Sequence, residues 1–249
     1  MNPAQKFIDI LYPPRCAICR SFLPKGSRKN GDAVRGVCSS CREDFHPLRS
    51  PCCTVCARPF VPGTGRDHLC ENCLRRRPFF HVLGAPYLYE GAFQDAIHLF
   101  KYGKRSDLAA FLGPLLASFV RKWEPAEGVS LVVPVPLHKK RLKERGFNQS
   151  KLLAHYVAKE LKADLDFLSL RRVKYTLPQT GLGKKERRKN VRKAFAVKRP
   201  ERIYGKTVLV VDDVATTGNT LNECAQELIR GGAERIAALV VARTPNPAF

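Results

Sequence analysis

Residues 206–220 read KTVLVVDDVATTGNT and concentrate the side chains that can hold a phosphorylated sugar. Asp212 and Asp213 close an apolar run, Val208 to Val211 behind Thr207. Val214, Ala215, Thr216, Thr217, Gly218, Asn219 and Thr220 follow, ahead of a helical pattern of Leu221, Ala225, Leu228 and Ile229. The run is too short for a helix and predicts a strand buried on both faces, ending at the acids. A strand, a tight loop and a helix start turn backbone N–H groups outward at the positive end of a helix dipole. The hydroxyls add donors, which suits a phosphate monoester. Two carboxylates beside such a cup repel phosphate unless they face sugar hydroxyls or hydrated Mg²⁺, a demand that a ribose 5-phosphate meets. An ordinary strand end with Asp in a turn and Thr as helix cap is the competing reading.

The second chemistry-bearing set is eight cysteines in four CxxC knuckles, at Cys16 and Cys19, Cys38 and Cys41, Cys53 and Cys56, Cys70 and Cys73. Four soft thiolates close a tetrahedral zinc shell with no position left for water. Taken in order, the knuckles give two Cys₄ ribbons, Cys16, Cys19, Cys38 and Cys41 in one and Cys53, Cys56, Cys70 and Cys73 in the other, each with a structural zinc. An interleaved pairing satisfies the same spacing. Cys52 lies beside Cys53 and competes for the metal, and His68 is an alternative donor. Redox pairs or scattered buried cysteines are the plainer readings, against which eight cysteines at matched spacing weigh. Gly, Pro and charge fill the intervals, so this segment has little core and needs a staple.

At 249 residues the chain accommodates a main domain with its own core and a smaller one beside it. Lys and Arg number 44 against 22 acids, a net charge of +22, which attracts nucleic acid, an anionic membrane surface or phosphorylated substrates. A merely solvated basic surface fits the same count. The longest apolar region, residues 108–120, contains Gly113 and Pro114 and is too short to span a bilayer. The N-terminus MNPAQKFIDILYPPRC lacks the apolar run of a signal peptide, so a cytoplasmic location is expected. In that reducing compartment ten cysteines point to metal rather than disulfides.

These sites need elements to carry them. The RRRP at residues 75–78 ends the cysteine-rich part and predicts a boundary near residue 80, with a double ribbon over 1–80 and an α/β domain over 81–249. GAPYLYEG reads as one strand, Phe93, Ile97, Leu99 and Phe100 as a helix ending at Tyr102 and Gly103, and residues 108–123 as a helix kinked at Gly113-Pro114. LVVPVP at 131–136 is a second buried strand that stops at its prolines. A basic loop follows (His138, Lys139, Lys140, Arg141, Lys143 and Arg145), then GFNQS and a helix patterned by Leu152, Leu153, Tyr156, Val157 and Leu161. Residues 171–195 start as a loop and predict a very polar helix over 184–193. They form an active-site cover, a nucleic-acid strip or a solvated connector, with Gln179, Arg187 and Asn190 the residues of interest. A last strand spans 235–242. Alternating strands and helices predict a parallel sheet with crossover helices, and ligands bind at the carboxyl ends of such strands. The basic loop and the acidic phosphate loop should then face one crevice.

The apolar strand, two acids, an aliphatic residue, one variable residue and Thr-Thr-Gly resemble the signature of type I phosphoribosyltransferases for 5-phosphoribosyl-1-pyrophosphate (PRPP). With LFKYGKRSDLA at 99–109, VVPVPLHKKRLKERGFNQS at 132–150, TLPQTGLGKKERRKN at 176–190 and the knuckles, nearly the whole chain resembles the ComF/GntX family of competence-associated proteins. Cys52 is odd against the family pattern. The resemblance implies a double zinc ribbon ahead of a phosphoribosyltransferase fold, a PRPP site over 212–220, and a link to DNA uptake in naturally transformable bacteria. Asp212 and Asp213 would orient ribose hydroxyls while Thr216, Thr217, Gly218 and Thr220 anchor the 5-phosphate. Arg145, Lys139 and Arg141, beyond Pro134, Val135 and Pro136, would hold pyrophosphate with Mg²⁺, under a cover bearing Gln179 and Arg187. The acceptor, a general base and the oligomeric state are not identified. The alternative is a non-catalytic PRPP sensor, or a module binding single-stranded DNA or a DNA-uptake partner through its basic face. There Phe147 and the RRRPFF stretch would supply aromatic contacts.

Overall fold

The computed structural model describes residues 12–23, 36–61, 63, 65–175 and 193–245. The cysteine-rich part contributes two short helices, α1 (Ser39–Glu43) and α2 (Glu71–Arg75). Then come β1 (Val82–Gly84), β2 (Tyr87–Leu88), α3 (Gly91–Tyr102), α4 (Ala109–Arg121), β3 (Leu131–Pro134), α5 (Lys139–Arg145), α6 (Gln149–Leu161) and β4 (Asp164–Leu165). A two-stranded antiparallel pair, β5 (Leu170–Arg172) with β6 (Phe195–Val197), stands apart from the main sheet. The chain closes with β7 (Thr207–Ala215), α7 (Asn219–Arg230) and β8 (Arg235–Arg243). The main sheet runs β1-β8-β7-β3-β4, with β2 also on β8, and every pairing is parallel.

The near-continuous apolar runs of β3, β7 and β8 are buried because the sheet is covered on both faces. Alternate residues divide its core in two. Val132, Leu209, Val211, Leu239 and Val241 meet Phe93, Ile97 and Phe100 of α3, Leu112 and Leu116 of α4, and Leu153 and Val157 of α6. Leu131, Val133, Val208, Val210 and Val240 meet Leu221, Ala225 and Leu228 of α7, with Leu170 and Phe195 of the antiparallel pair. The cysteine-rich segments divide the same way. Cys16, Ile18, Val37 and Cys41 join the first core, whereas Cys53, Val55, Cys70 and Cys73 join the second.

Several expectations change. β7 runs through Asp212 and Asp213 to Ala215, because β8 still pairs there, Asp212 with Val240 and Val214 with Ala242. GAPYLYEG is two short strands parted by Ala85-Pro86, since proline lacks the ladder donor. The basic loop folds into α5, capped by His138, which accepts from Lys140 N, and stopped by Gly146 at φ +82°. α4 holds Pro114 within one helix, and Gly113 serves packing there, since a Cβ would lie 2.3 Å from the Tyr156 ring of α6. Phe147 rests on Phe100 at 5.6 Å between ring centres and packs against the core rather than offering a free stacking face. Phe80 is likewise core. Gln179, Arg187 and Asn190, with the polar helix expected over 184–193, fall mostly or wholly outside the described residues, as do residues 7–11 and 246–249. Among the described residues no helix is long and apolar enough to cross a membrane.

Candidate functional site

The crevice lies at the carboxyl end of β7. Asp212, Val214, Ala215, Thr216, Thr217, Gly218, Asn219, Thr220 and Leu221 line a small cleft, open to solvent. This suits one end of a ligand, since whole small-molecule sites run larger. Gly218 takes φ +76°, the left-handed turn that lets the strand swing into α7, and Thr217 Oγ1 accepts from Asn219 N at 3.4 Å. The first turn of α7 then faces the cup with the positive end of its dipole.

The acids are positioned by the helices of the opposite wall. Ser150 Oγ, on the first turn of α6, donates to Asp212 Oδ1 at 2.7 Å, and Asp213 N donates to the same oxygen at 2.9 Å. Burial, and then the charge of Asp213, push the Asp212 carboxyl from 3.8 up to about 6, against the pull of Lys101 and these hydrogen bonds. Lys101, near the end of α3, sits 2.8 Å from Asp213 Oδ1. Burial opposes its charge, but Asp213 outweighs that and holds the ammonium above its ordinary range. Gln149, 1% exposed, donates through Nε2 to Phe100 O at 3.2 Å and accepts from Arg145 Nη1 at 3.2 Å. Arg145 also lies 5.1 Å over the Tyr102 ring. Burial draws Arg172 below the usual arginine range; the charges of Arg141 and Arg145 add to this, and that of Asp212 opposes it.

Arg145 closes α5 and is bonded to Gln149 at the start of α6, where Asn148 Nδ2 donates to Val135 O at 3.1 Å. Pro134 ends β3, while Val135 N still donates to Val211 O at 2.9 Å, which keeps this strand end beside β7. Lys139 opens α5 and Pro136 precedes it, and neither touches the acid pair in a described contact. Sequence reasoning missed Lys101, Gln149, Ser150, Arg172 and Arg243. Lys101 had a signal, a cation on a helix face with Phe93, Ile97 and Phe100. Arg243 had another, a charge closing the apolar run of β8.

The cysteines assemble in sequence order. Cys16, Cys19, Cys38 and Cys41 bring their sulfurs within 4.8 Å of one another, as do Cys53, Cys56, Cys70 and Cys73. Sγ pairs of 3.9 Å (Cys16 and Cys41) and 3.6 Å (Cys19 and Cys38, Cys56 and Cys70) match the edge of about 3.8 Å that Zn–S bonds of about 2.3 Å give a tetrahedron. Backbone N–H groups aim at the sulfurs: Cys38 N lies 3.4 Å from Cys16 Sγ, and Cys70 N lies 3.3 Å from Cys53 Sγ. Each cluster already favours one thiolate. Ser21 lowers Cys19 to about 6, and Cys56 lowers Cys53 to about 4. These donors fit two structural zinc ions. Cys52 stays outside, its thiol raised to about 11 by burial and by Asp67, and His68 stacks on Phe60 at 4.1 Å instead of joining the sulfurs.

Residues 7–74 match the family model of a double zinc ribbon domain, and residues 149–248 that of a phosphoribosyl transferase domain. The chain is 32% identical to the DNA utilization protein YhgH of Escherichia coli (strain K12), over 94% of this chain and 99% of that one. The chain belongs to the ComF family. Competence protein F of Haemophilus influenzae is 32% identical over 83% of this chain and 96% of its own length. Competence protein ComFC of Bacillus subtilis is 27% identical over 84% of each. The ComF architecture accounts for both cysteine clusters and for the loop between β7 and α7, which falls inside the transferase match.

Proposed function

We propose that this ComF-family protein binds PRPP at residues 212–220 and displaces pyrophosphate from its C1 carbon, in the service of DNA utilisation or uptake. One observation carries the reading: a cup at a helix N-terminus adjoins an acid pair whose charge is met from the opposite wall by the Lys101 ammonium. A 5-phosphate, ribose hydroxyls and a pyrophosphate require those features in that order. Val214 to Thr220 would cradle the 5-phosphate, so remote binding energy fixes the reacting carbon. Asp212 and Asp213 would accept from the ribose hydroxyls and stabilise a transition state resembling an oxocarbenium ion. The C1–O bond breaks, pyrophosphate leaves with the electron pair, and the acceptor's nucleophile forms the new bond at C1. Arg145, Arg141 and Lys139, near the strand end at Pro134, Val135 and Pro136, would follow the departing anion, and Gln179 and Arg187, outside the described residues, are further candidates for the same role. Mg²⁺ bound with PRPP would supply further charge neutralisation of its pyrophosphate, beside the cations of α5. The division near residue 80 and a cytoplasmic site of action belong to the same reading.

Calorimetric titration of the zinc-loaded protein with PRPP and Mg²⁺, beside Asp212→Ala/Asp213→Ala, tests it. Micromolar binding by the wild type alone supports the site, and a folded wild type that binds no PRPP rejects it.

A second reading, single-stranded DNA held along the crevice rim, is favoured by cations over exposed rings. Lys151 lies 3.7 Å over Phe167, Lys140 5.2 Å over Tyr175, and Arg145 5.1 Å over Tyr102. Stacking and phosphate contact then coincide. Oligonucleotide affinity that falls steeply with salt, and falls further when the three rings become alanine, supports this role; affinity flat in salt rejects it.

A further inference from the structure

Arg243, the last residue of β8, is 2% exposed. Its Nε donates to Cys56 O at 3.0 Å, inside the second cysteine cluster. Its Nη1 donates to Ala215 O at 2.7 Å and to Thr216 O, the first carbonyls of the phosphate loop. Thr244 repeats the grip, with N to Ala215 O at 3.1 Å and Oγ1 to Thr216 O at 3.3 Å. A peptide unit is planar and trans, so its N–H points opposite to its C=O. A guanidinium that gathers the carbonyls of Ala215 and Thr216 therefore turns the N–H groups of Thr216 and Thr217 the other way, to the side that lines the crevice.

A buried guanidinium keeps its charge and needs an anion nearby. The thiolate shell around zinc is such an anion. A second brace runs parallel to the first: Phe79 N, shortly after Cys73, donates to Asn222 Oδ1 on the first turn of α7 at 2.8 Å. No described contact links the first cluster to this loop; its cysteines pack into the core on the other face of the sheet.

We propose that Arg243 is a positioning residue that couples metal occupancy of the Cys53, Cys56, Cys70 and Cys73 cluster to the shape of the phosphate loop, while the first cluster is uncoupled from it. The ligand arm of this proposal rests on the PRPP reading above. Coupling of binding is reciprocal, so a ligand in the loop holds zinc in the second ribbon by the same factor that zinc improves the loop.

The experiment follows zinc release from the full-length, zinc-loaded protein into a coloured chelator, with and without PRPP. Two release phases are expected, with saturating PRPP slowing one zinc equivalent about tenfold and leaving the other unchanged. In a Cys19→Ser background, which keeps the second ribbon intact, the protected equivalent should persist. Arg243→Met should abolish the protection and Arg243→Lys restore part of it, a rescue that mere filling of space would not give. PRPP that binds by calorimetry yet slows both phases, or neither, overturns the proposal. A second arm needs no ligand. Amide hydrogen exchange over residues 216–220 should rise about tenfold in Arg243→Met and in Cys70→Ser, and stay at the wild-type rate in Cys19→Ser. Unchanged exchange in Arg243→Met overturns the coupling, whereas failure of PRPP to bind the wild type rejects only the ligand reading.

Discussion

The two cysteine clusters share spacing and chemistry but are fastened to opposite faces of the sheet by different means. The first docks through a cluster of rings beside a short backbone ladder, Leu88 N to His46 O at 2.8 Å and Leu48 N to Pro86 O at 2.9 Å. Phe45, just past its last knuckle, meets Phe93 at 4.6 Å, Phe111 at 5.7 Å and Tyr87 at 6.1 Å between ring centres, and Cys19 remains exposed. The second docks through backbone. Leu83 N of β1 donates to Val55 O at 2.8 Å, Arg243 reaches Cys56 O, and Cys53, Cys70 and Cys73 are all buried. Both ribbons hold backbone bonds to the domain, and the difference lies in the buried guanidinium: Arg243 joins the second cluster to the loop carbonyls by hydrogen bonds that cost their full desolvation when broken, whereas ring packing is non-directional. The first ribbon therefore stabilises the domain, and the second also sets the geometry of a loop.

Removing one ligand from each cluster should separate the two most widely. Cys70→Ser is expected to lose one zinc and lower Tm by about 10 °C or more, since losing a structural zinc site forfeits several kcal/mol of folding energy. Cys19→Ser, at an exposed corner, should lower Tm by roughly half as much or less. Metal analysis with calorimetric melting reads both, and equal losses would break the comparison.

Detaching the first ribbon without touching its metal is the next largest effect. Phe45→Ala removes a half-buried ring from three aromatic partners and should destabilise the protein by about 2–3 kcal/mol in denaturant unfolding. PRPP affinity should stay within about twofold, because this ring packs on the face of the sheet away from α7. A much larger loss of affinity would mean that both ribbons reach the crevice.

This asymmetry is only half legible in the sequence. The knuckles, the loop from Asp212 to Thr220 and the strand–helix alternation are local patterns, and local patterns carry over to structure. The faces of the sheet are not local. Nothing in the spacing of Cys53 and Cys56 says that the Cys56 carbonyl will meet Arg243, 187 residues away in the chain. Lys101 and Ser150 escape notice for the same reason, since each acquires meaning only when the end of α3 and the start of α6 meet beside β7. The basic run at 138–145 reads as a loop from charge alone, yet His138 and Gly146 supply both ends of a short helix.

Acid pH probes the crevice, which has no counterpart near the first ribbon. The Asp212 carboxyl stands at about 6 in the folded chain against 3.8 for the ordinary group, so folding favours its protonated form. This contribution to stability is complete below 3.8 and is lost as pH rises through 6. Above that range an ionised, largely buried carboxylate is a cost. Asp212→Asn should then stabilise the protein by about 1–2 kcal/mol near neutral pH and by almost nothing in acid, while PRPP affinity drops at least tenfold. Wild-type affinity should fall as pH drops through 6, where the carboxylate is lost, and titration calorimetry of the variant should show no such dependence.

The smallest effect tests a polar link from the first ribbon to the domain. Glu90 makes no side-chain cap at α3; Asp44 does that work from a distance, its Oδ2 accepting from Ala92 N at 2.7 Å. Gly91, at φ +53°, leaves the room, since a Cβ there would sit 2.6 Å from the same carboxylate. Asp44→Ala should cost about 1 kcal/mol, the usual worth of a helix cap, while Asp44→Asn keeps an acceptor and loses mainly the charge facing the helix dipole, a few tenths. Lys101 rides near the far end of the same helix, where its salt bridge to Asp213 is held by packing rather than by the cap. If Asp44→Ala nevertheless weakens PRPP binding as much as it weakens the fold, the first ribbon reaches the acid pair along α3, and the division between a supporting ribbon and a shaping ribbon would fail.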